Sequence, residues 1–449
     1  MNKVIKIKKG LDIPLLGEAE KVMKDFSSEH YAVKPTDFTG VFPKVLIKEG
    51  DEVKAGTPLF FNKYNDKILF TAPVSGVVIE IRRGDKRVLE EIRIEADGKF
   101  SQIDFGSADP EKISREEVVE KLVKSGVWPC IRQRPYSVIA DPDTMPKAIH
   151  IPAFDTAPLA PDYDFILHGK GEDFQMGLNA IAKLTSGKVH LNIHAEMTKS
   201  KVFLNSKNVQ INTFSGPHPT GNVSVHIANI DPINKGDIVW YLYPQDVITI
   251  GRLFLKGVYN ASIIVPITGS EVEKPVYYKT MRGVAVKNML SNNLKEGKVR
   301  IISGNALTGD KILPTGYLGF YHNQLTVIPE GNYYEFMGWA APGFGKYSFS
   351  RAFFSWLNPT KKQRLDTNLH GGERALVMTG TYEQVMPLDI LPMQLLKACM
   401  IKDIDLMEGL GIYEVDEEDF ALCEFIDTSK TEIQQIVREG LNLMRKETS

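Results

Sequence analysis

The chain has 449 residues, 43% hydrophobic and 24% charged, enough to bury cores in about three domains of 100–200 residues each. Its formal net charge of -2 leaves no electrostatic case for a nucleic-acid partner. Three widely spaced cysteines exclude a disulfide framework, the opening MNKVIKIKKGLDIP lacks a signal-peptide core, and no run approaches 18 apolar residues. The expectation is a soluble, cytoplasmic chain that meets a membrane only through a partner.

Residues 1–30, with the turn Gly10 to Pro14, read as an N-terminal arm. From Tyr31 onward short strands alternate with tight turns: Val45 to Phe60 through Gly50 and Gly56, then Ile68 to Ile81 through Pro73 and Gly76. That rhythm predicts a small β-sandwich or barrel. The phrases EGDEVKAGTPLF and TAPVSGVV resemble the barrel-sandwich hybrid of biotinyl and lipoyl carrier domains. A working carrier needs a modifiable lysine at a hairpin tip. Here the tip is Tyr64-Asn65-Asp66, flanked by Lys63 and Lys67, and neither lysine sits in the setting that ligating enzymes read. The module is read as structural.

Ser114 with Glu116 and Glu117 starts an amphipathic helix through Val118, Val119, Leu122 and Val123, ended by Gly126. Ala148–Ile151, Phe165–His168 and Lys188–His194 read as strands, and 173–185 as a helix. The stretch Ser215 to Gly257 organises this region. It runs from a Pro/Gly loop (Gly216 to Gly221) into an apolar strand (Ile238 to Tyr243), then a helix with Val247, Ile248, Ile250, Leu253 and Phe254 inward and Gly257 closing it. Strand, loop and helix in this order predict a Rossmann-like sheet whose ligands sit at strand ends. No glycine triplet or acidic residue marks a nucleotide, and the Ser303 to Asp310 loop lacks the lysine of a phosphate-binding loop.

Short strands return at Ile263–Ile267 and Val299–Ile302, with a helix-like Gly283 to Leu290, in a unit resembling the β-grasp ligand-binding domain. Residues 330–375, rich in Gly, Tyr, Phe and Trp, are expected to pack onto the earlier domains. From Leu388 the apolar spacing is helical to the end. The predicted fold class is therefore α/β and α+β multidomain. It comprises an arm and barrel-sandwich hybrid (1–104), a Rossmann-like α/β domain (105–257), a β-grasp (SLBB-like) domain (258–329), and a connecting segment with a helical C-terminal region (330–449).

His190 and His194 share a strand face with Asn192, but no third ligand lies near, so a solvent-facing strand is expected rather than a metal site. His218 sits in its Pro/Gly loop, where it either caps a pocket or is an ordinary loop residue. The acidic run Glu414 to Asp419 suits the exposed start of a helix. Cys423 lacks the closely spaced partners of an iron–sulfur site. Trp128 to Tyr136 concentrates two arginines and two aromatics around two prolines. This fits an amphipathic site with rings against an apolar ligand and guanidinium donors toward a carbonyl. The alternative is that Trp128 and Tyr136 close the core while the arginines are solvated.

The phrases KKGLDIPLLGEAE, APVSGVVIEIRRGDKRVLEEIRIE, SGVWPCIRQRPYS, FDTAPLAPD, SGPHPTG, QDVITIGRLFLKG, VRIISGNALTGD and YEQVMPLDI run in order along nearly all of the chain. They resemble the A-subunit family of the sodium-translocating NADH:quinone reductase. That resemblance implies a six-subunit complex of the bacterial inner membrane that passes electrons from NADH to a quinone and exports sodium. This chain would be the peripheral member on the cytoplasmic face, docked on the membrane-embedded B subunit.

The family is itself similar to the C subunit of the Rnf complex and to the flavin subunit of respiratory complex I. Where those relatives carry a glycine-rich FMN loop, this chain has Gly126 to Arg132 with Trp128 and Pro129; where they carry Pro-x-Gly-Gly-Glu, it has Pro219 to Val223 without the acid. Of their cysteine set only Cys423 remains, and Asp427 stands where members of the A-subunit family often carry a second cysteine. The resemblance thus implies a fold kept without flavin, NADH or cluster chemistry, and with no covalently bound cofactor. It also implies quinone as a ligand, near His30 to Asp37 and Ile131 to Val138, with Tyr31, Trp128, Ile131, Arg132, Arg134 and Tyr136 as the binding residues. No residue is assigned to catalysis or to a metal. The competing readings are a flavin-dependent NADH dehydrogenase on the same fold, a docking scaffold without ligand, and an acyl-type carrier modified at Lys63 or Lys67.

Overall fold

The computed structural model describes residues 4–338 and 340–448. The strand-and-turn rhythm of the N-terminal third folds as two sheets. His30–Val33, Leu89–Ala96, Gly76–Arg83 and Glu52–Val53 form one, and Pro43–Val45, Pro58–Asn62 and Asn65–Thr71 the other. Phe60, Val78, Ile92 and Ile94 are wholly buried between them, with the Phe60 and Phe70 rings stacked at 4.4 Å. The arm does more than lead in. Its Ile5–Lys6 pairs with Gln210–Ser215 and its Glu20–Asp25 with Val276–Met281, adding an edge strand to each of the two later sheets.

The central sheet has seven strands in the order Ile5–Lys6, Gln210–Ser215, Lys188–His194, Ala148–Pro152, Val239–Tyr241, Arg132–Arg134, Val138–Ile139. The first five are parallel, Arg132–Arg134 runs against them, and Val138–Ile139 turns back antiparallel to it. Ala148–Pro152 and Val239–Tyr241 are buried along their whole length, as strands covered on both faces must be. The helices Gly171–Ala182 and Pro244–Lys256 cross on one face. Gly257, with φ of 71°, closes the second of them in the left-handed conformation that glycine adopts without penalty.

The expected strand Phe165–His168 is instead a helical turn, Tyr163–Ile166, because Asp162 caps it by accepting from the Phe165 amide at 3.1 Å. A four-residue apolar run has no periodicity to separate the two. The expected solvent face of Lys188–His194 is also buried. His190 stacks on His150 at 4.7 Å, and Asn212 donates to Asn192 at 3.0 Å while meeting the His190 ring nitrogen at 3.1 Å. These side chains bond one another across three strands, with the buried His150 Nε2 left without a partner, so polarity here signals a ladder inside the sheet rather than exposure.

A fourth sheet runs Asp310–Ile312, Val299–Ser303, Leu325–Pro329, Ser262–Thr268, Val276–Met281, Glu20–Asp25. The helix expected from Gly283 is confined to Lys287–Leu290. Arg282 fastens this sheet to the central domain by a buried ion pair with Asp246, and is itself held within the β-grasp unit by donating to the Phe320 carbonyl at 2.7 Å. The C-terminal helices, with Leu395, Leu396, Met407, Val437 and Leu441 inward, share one core with Phe214, Val225 and Tyr241 of the central domain. The aromatic stretch after residue 330 packs only in part: Phe349 joins that core, Leu365 packs near Ile302 and Ile328, and Tyr347 meets Phe425 at 5.7 Å. Phe336 is 93% exposed, and Tyr334, Phe344 and Leu357 also stand out to solvent. Apart from the short turn Phe354–Leu357, the described part of the stretch has no helix or strand that could set these rings against a facing element.

Candidate functional site

A cleft of about 350 Å³ opens beyond the carboxyl ends of Ala148–Pro152 and Val239–Tyr241, where a parallel α/β sheet presents its loops. The central domain contributes Arg132, Asp155, Tyr163, His218, Asn222 and Tyr243. The β-grasp side contributes Asn305, Asp310, Phe320, Tyr321 and His322; the C-terminal region adds Asp416, Glu417, Glu418 and Gln434, and Asp37 comes from the N-terminal domain. All four regions of the chain therefore meet at one place.

Arg132 is the centre of this site. It opens the antiparallel strand Arg132–Arg134, in register with Tyr241. Its guanidinium carbon lies 4.2 Å from the Tyr321 ring centroid, 4.6 Å from that of Tyr241 and 5.6 Å from that of Tyr243. Tyr321 is fixed by donating its hydroxyl to the Pro129 carbonyl at 2.8 Å. Among the described residues, no hydrogen bond or ion pair engages the Arg132 guanidinium. Burial works against its charge, but the surrounding tyrosines and Glu418 hold its pKa above the usual value. The result is a fixed cation, sandwiched by flat rings, with its donors unspent beside an open cleft.

Arg134, two residues on, is differently employed. Only 1% exposed, it pairs with Asp416 at 3.0 Å and donates to Glu418 at 2.6 Å. Asp416 also accepts from Ser137 at 2.5 Å and is paired with Arg438. The acidic run expected at an exposed helix start is therefore partly buried, because Arg134 and Arg438 neutralise it from two sides. Burial pushes Asp416 up, but the two arginines dominate and hold it well below the carboxylate range. Glu418 is pushed up to about 7, chiefly by burial. Tyr136 adopts the left-handed region, with φ of 80°. It is kept there by Arg438 donating to its carbonyl at 2.8 Å and by a 2.9 Å contact between its hydroxyl and Thr448.

Trp128 lies wholly in the core, its indole N–H donating to the Ala140 carbonyl at 2.8 Å and its ring set edge-on to Trp240. Ile131 is core, and Tyr31 is buried with its hydroxyl accepting from the Ser28 amide at 3.0 Å. Of the six residues singled out in the sequence, Arg132 lines the cleft, Arg134 and Tyr136 bind the C-terminal region, and Trp128, Ile131 and Tyr31 lie in the core and do not line it. The stretch His30 to Asp37 reaches a second, narrow apolar crevice of about 20 Å³ lined by Val33, Phe38, Phe70, Pro73 and Pro129. Asp37 and Phe320 line both spaces.

His218 does line the cleft, its Nδ1 3.1 Å from the Thr156 hydroxyl and its pKa pushed down to about 4 by burial. Tyr321, Tyr243, His322 and Asp155 were not legible as site residues. Only the alternation of Tyr241 and Tyr243 about Leu242 hinted at two rings on one side. Cys130, Cys399 and Cys423 are all buried and free, and burial raises each thiol pKa. Among the described residues, no group of three or more His, Cys, Asp or Glu is placed to hold a metal ion. Lys67, at the N-terminal hairpin, is paired with Asp143 at 2.6 Å.

Three family descriptions match the chain in order: the NqrA N-terminal barrel-sandwich hybrid domain over residues 5–97, the NqrA second alpha/beta domain over 113–259, and the NQRA C-terminal domain over 264–313. The A subunit of the Na(+)-translocating NADH-quinone reductase from Yersinia pestis bv. Antiqua (strain Angola) is 41% identical over 449 residues, covering 99% of this chain and 100% of that protein. The protein of the same description from Neisseria meningitidis serogroup B (strain ATCC BAA-335 / MC58) is 40% identical over 451 residues, again with 99% and 100% covered. The one from Photorhabdus laumondii subsp. laumondii is 39% identical over 449 residues at the same coverage. Among solved structures, an NAD+-reducing [NiFe]-hydrogenase aligns over 76% of this chain and 62% of its own, at 11% identity and a TM-score of 0.40, a likeness too slight to bear on function.

Proposed function

Because the chain belongs to the A-subunit family of the Na(+)-translocating NADH-quinone reductase, and is thus one part of a multisubunit oxidoreductase, we propose that it contributes a quinone-binding cleft to that complex. The observation that carries this reading is Arg132: a half-buried guanidinium with unspent donors, flanked by the Tyr241 and Tyr321 rings. A quinone offers a carbonyl oxygen to the donors and a flat ring to the tyrosines. Arg134 and Tyr136 hold the C-terminal wall in place, and Trp128, Ile131 and Tyr31 lie in the core shared by the N-terminal and central domains.

The chain acts without a flavin or an iron–sulfur cluster of its own. Trp128 and Pro129 are buried where a glycine-rich loop would leave room for a phosphate, and the three thiols are enclosed, with burial raising the pKa of each. No helix among the described residues is long and apolar enough to cross a membrane. In this reading the chain sits peripherally on the cytoplasmic face, assembled on the membrane-embedded B subunit, while the sodium path lies in other subunits.

Titration of the purified chain with a short-chain quinone, by calorimetry, tests the reading. Saturable binding in the micromolar range (about -8 kcal/mol), lost on Arg132→Ala with the fold intact, is the expected result. The second reading is a docking scaffold with no ligand, favoured by the number of carboxyl groups around the cleft: Asp37, Asp155, Asp310, Asp416, Glu417 and Glu418. No binding to the chain alone or to the assembled complex at this cleft leaves that reading standing.

A further inference from the structure

The largest concentration of exposed apolar side chains among the described residues lies outside the lining of the cleft, in the stretch Tyr333 to Leu357. Phe336 is 93% exposed, Phe344 62%, Leu357 62%, Phe354 51% and Trp356 47%, and Tyr334 is fully exposed. A protein surface carries single apolar residues without consequence, but exposed rings this dense along one stretch, with Phe344 edge-on to Phe354 at 5.9 Å, mark an interaction surface. The stretch is rooted at its ends. Gln363 donates its backbone amide to the Pro14 carbonyl at 2.7 Å, Arg364 pairs with Glu271 at 2.7 Å, and the Gly331 amide donates to Thr367 at 2.7 Å. The rings are therefore presented from a fixed base.

We propose that this crest is the surface through which the chain docks on another protein subunit of its complex, one that presents an apolar patch with an acidic rim. The proposal rests on the reading of the chain as a member of an assembled complex. Three observations select such an occupant. First, an aromatic side chain buries about 150–250 Å², so the exposed fractions of these six residues sum to something on the order of 800 Å², what one partner contributes to a standard stable interface. Second, the composition is that of an interface centre, with Trp, Tyr, Phe and Met beside Arg. Third, the charge is one-sided. Between Glu335 and Asp366 there are five basic residues and no acidic one. Lys346, Lys362 and Arg364 are neutralised by Glu335, Glu18 and Glu271, which leaves Arg351 and Lys361 facing outward for a partner's carboxylates. A lipid surface fits less well, because the described stretch contains no amphipathic helix to lie on it and most of its cations are already paired.

The test uses the full chain and the detergent-solubilised complex lacking it. The variant Phe336→Ser/Phe344→Ser/Trp356→Ser is compared with wild type and with Phe42→Ser/Tyr64→Ser, which removes two exposed rings at the N-terminal hairpin. The expected result is that the triple variant melts as wild type does but loses retention on the complex at least tenfold, while the hairpin variant is retained. Equal retention of the triple variant and wild type overturns the proposal while leaving the assembly reading intact; a wild type that is not retained at all overturns the assembly reading itself. Sedimentation with phosphatidylglycerol vesicles covers the remaining occupant. Binding to them by wild type that the triple variant loses, with retention on the complex unchanged, assigns the crest to lipid and also overturns the proposal.

Discussion

Arg134 donates to Glu418 at 2.6 Å across 284 residues of chain, from a side chain 1% exposed. With Asp416 and Arg438 this pair forms a buried cluster that fixes the C-terminal helices on the central sheet. Removing one partner of such a pair leaves the others desolvated and uncompensated, at a cost of about 3–5 kcal/mol. Arg134→Ala is therefore expected to lower the urea-unfolding free energy of the full chain by about that amount. A change below about 1 kcal/mol would show that the carboxyl groups find water or protons instead.

Arg132 has the opposite profile. Its interactions are with rings rather than carboxylates, each about 0.5–2 kcal/mol, so Arg132→Met, which keeps the apolar stem, is expected to leave stability within about 1–2 kcal/mol of wild type. Binding of a short-chain quinone should fall at least tenfold, since a hydrogen bond from a charged donor contributes about 1.5–3 kcal/mol. Calorimetry on the folded variant checks both halves. Unchanged binding would move the quinone out of this cleft.

The contrast between these two arginines shows what the sequence could and could not disclose. Capping and periodicity are local, so the helix begun at Ser114, the strand and helix around Pro244, and the C-terminal helices were legible from neighbours alone. Whether Arg132 or Arg134 faced the cleft depended on Asp416, Glu418 and Tyr321, which come from far along the chain. The same limit hid the burial of His190 and His194, whose partners are on neighbouring strands. It also hid the solvent exposure of the aromatic stretch after residue 330, where composition suggested a core and the lack of a facing element decided otherwise.

Gly251 gives a sharp test of the packing behind the site. It sits mid-helix in Pro244–Lys256, where alanine would normally gain up to about 1 kcal/mol. A Cβ there would lie 1.7 Å from the Asp173 carbonyl oxygen and 2.9 Å from the Gly177 amide nitrogen, both backbone atoms of the crossing helix. The helices must separate, and overpacking of this kind costs about 1–3 kcal/mol. Gly251→Ala is expected to be destabilising on balance in chemical unfolding, and a stabilised variant would mean that the crossing is looser than described.

Acid should weaken the fold, and the sign follows from the buried histidines. Burial pushes His218 down to about 4 and His226 to about 3, and it lowers His150 well below its usual value. A depressed folded-state pKa means that the unfolded chain takes up protons first. The stability these groups contribute is complete above about pH 6.5 and drains away as pH falls toward 4. At pH 5 each such histidine costs about 2 kcal/mol. Glu418 acts in the opposite direction. Its folded-state pKa, raised to about 7, makes the folded chain the better proton acceptor between about pH 7 and 4.5, which offsets roughly one histidine. Burial and the neighbouring Asp416 raise Glu417 as well, but His190, His194 and His322 are also lowered by burial. Six histidines outweigh two glutamates, so a net loss of stability between pH 7 and 5 is expected in urea unfolding. His226→Phe isolates the effect, because the ring already packs against Phe214 at 4.5 Å and Phe154 at 5.2 Å. That variant should flatten the acid slope by about 1.4 kcal/mol per pH unit below 6.5, and an unaltered slope would show that the His226 proton is not what acid forces in.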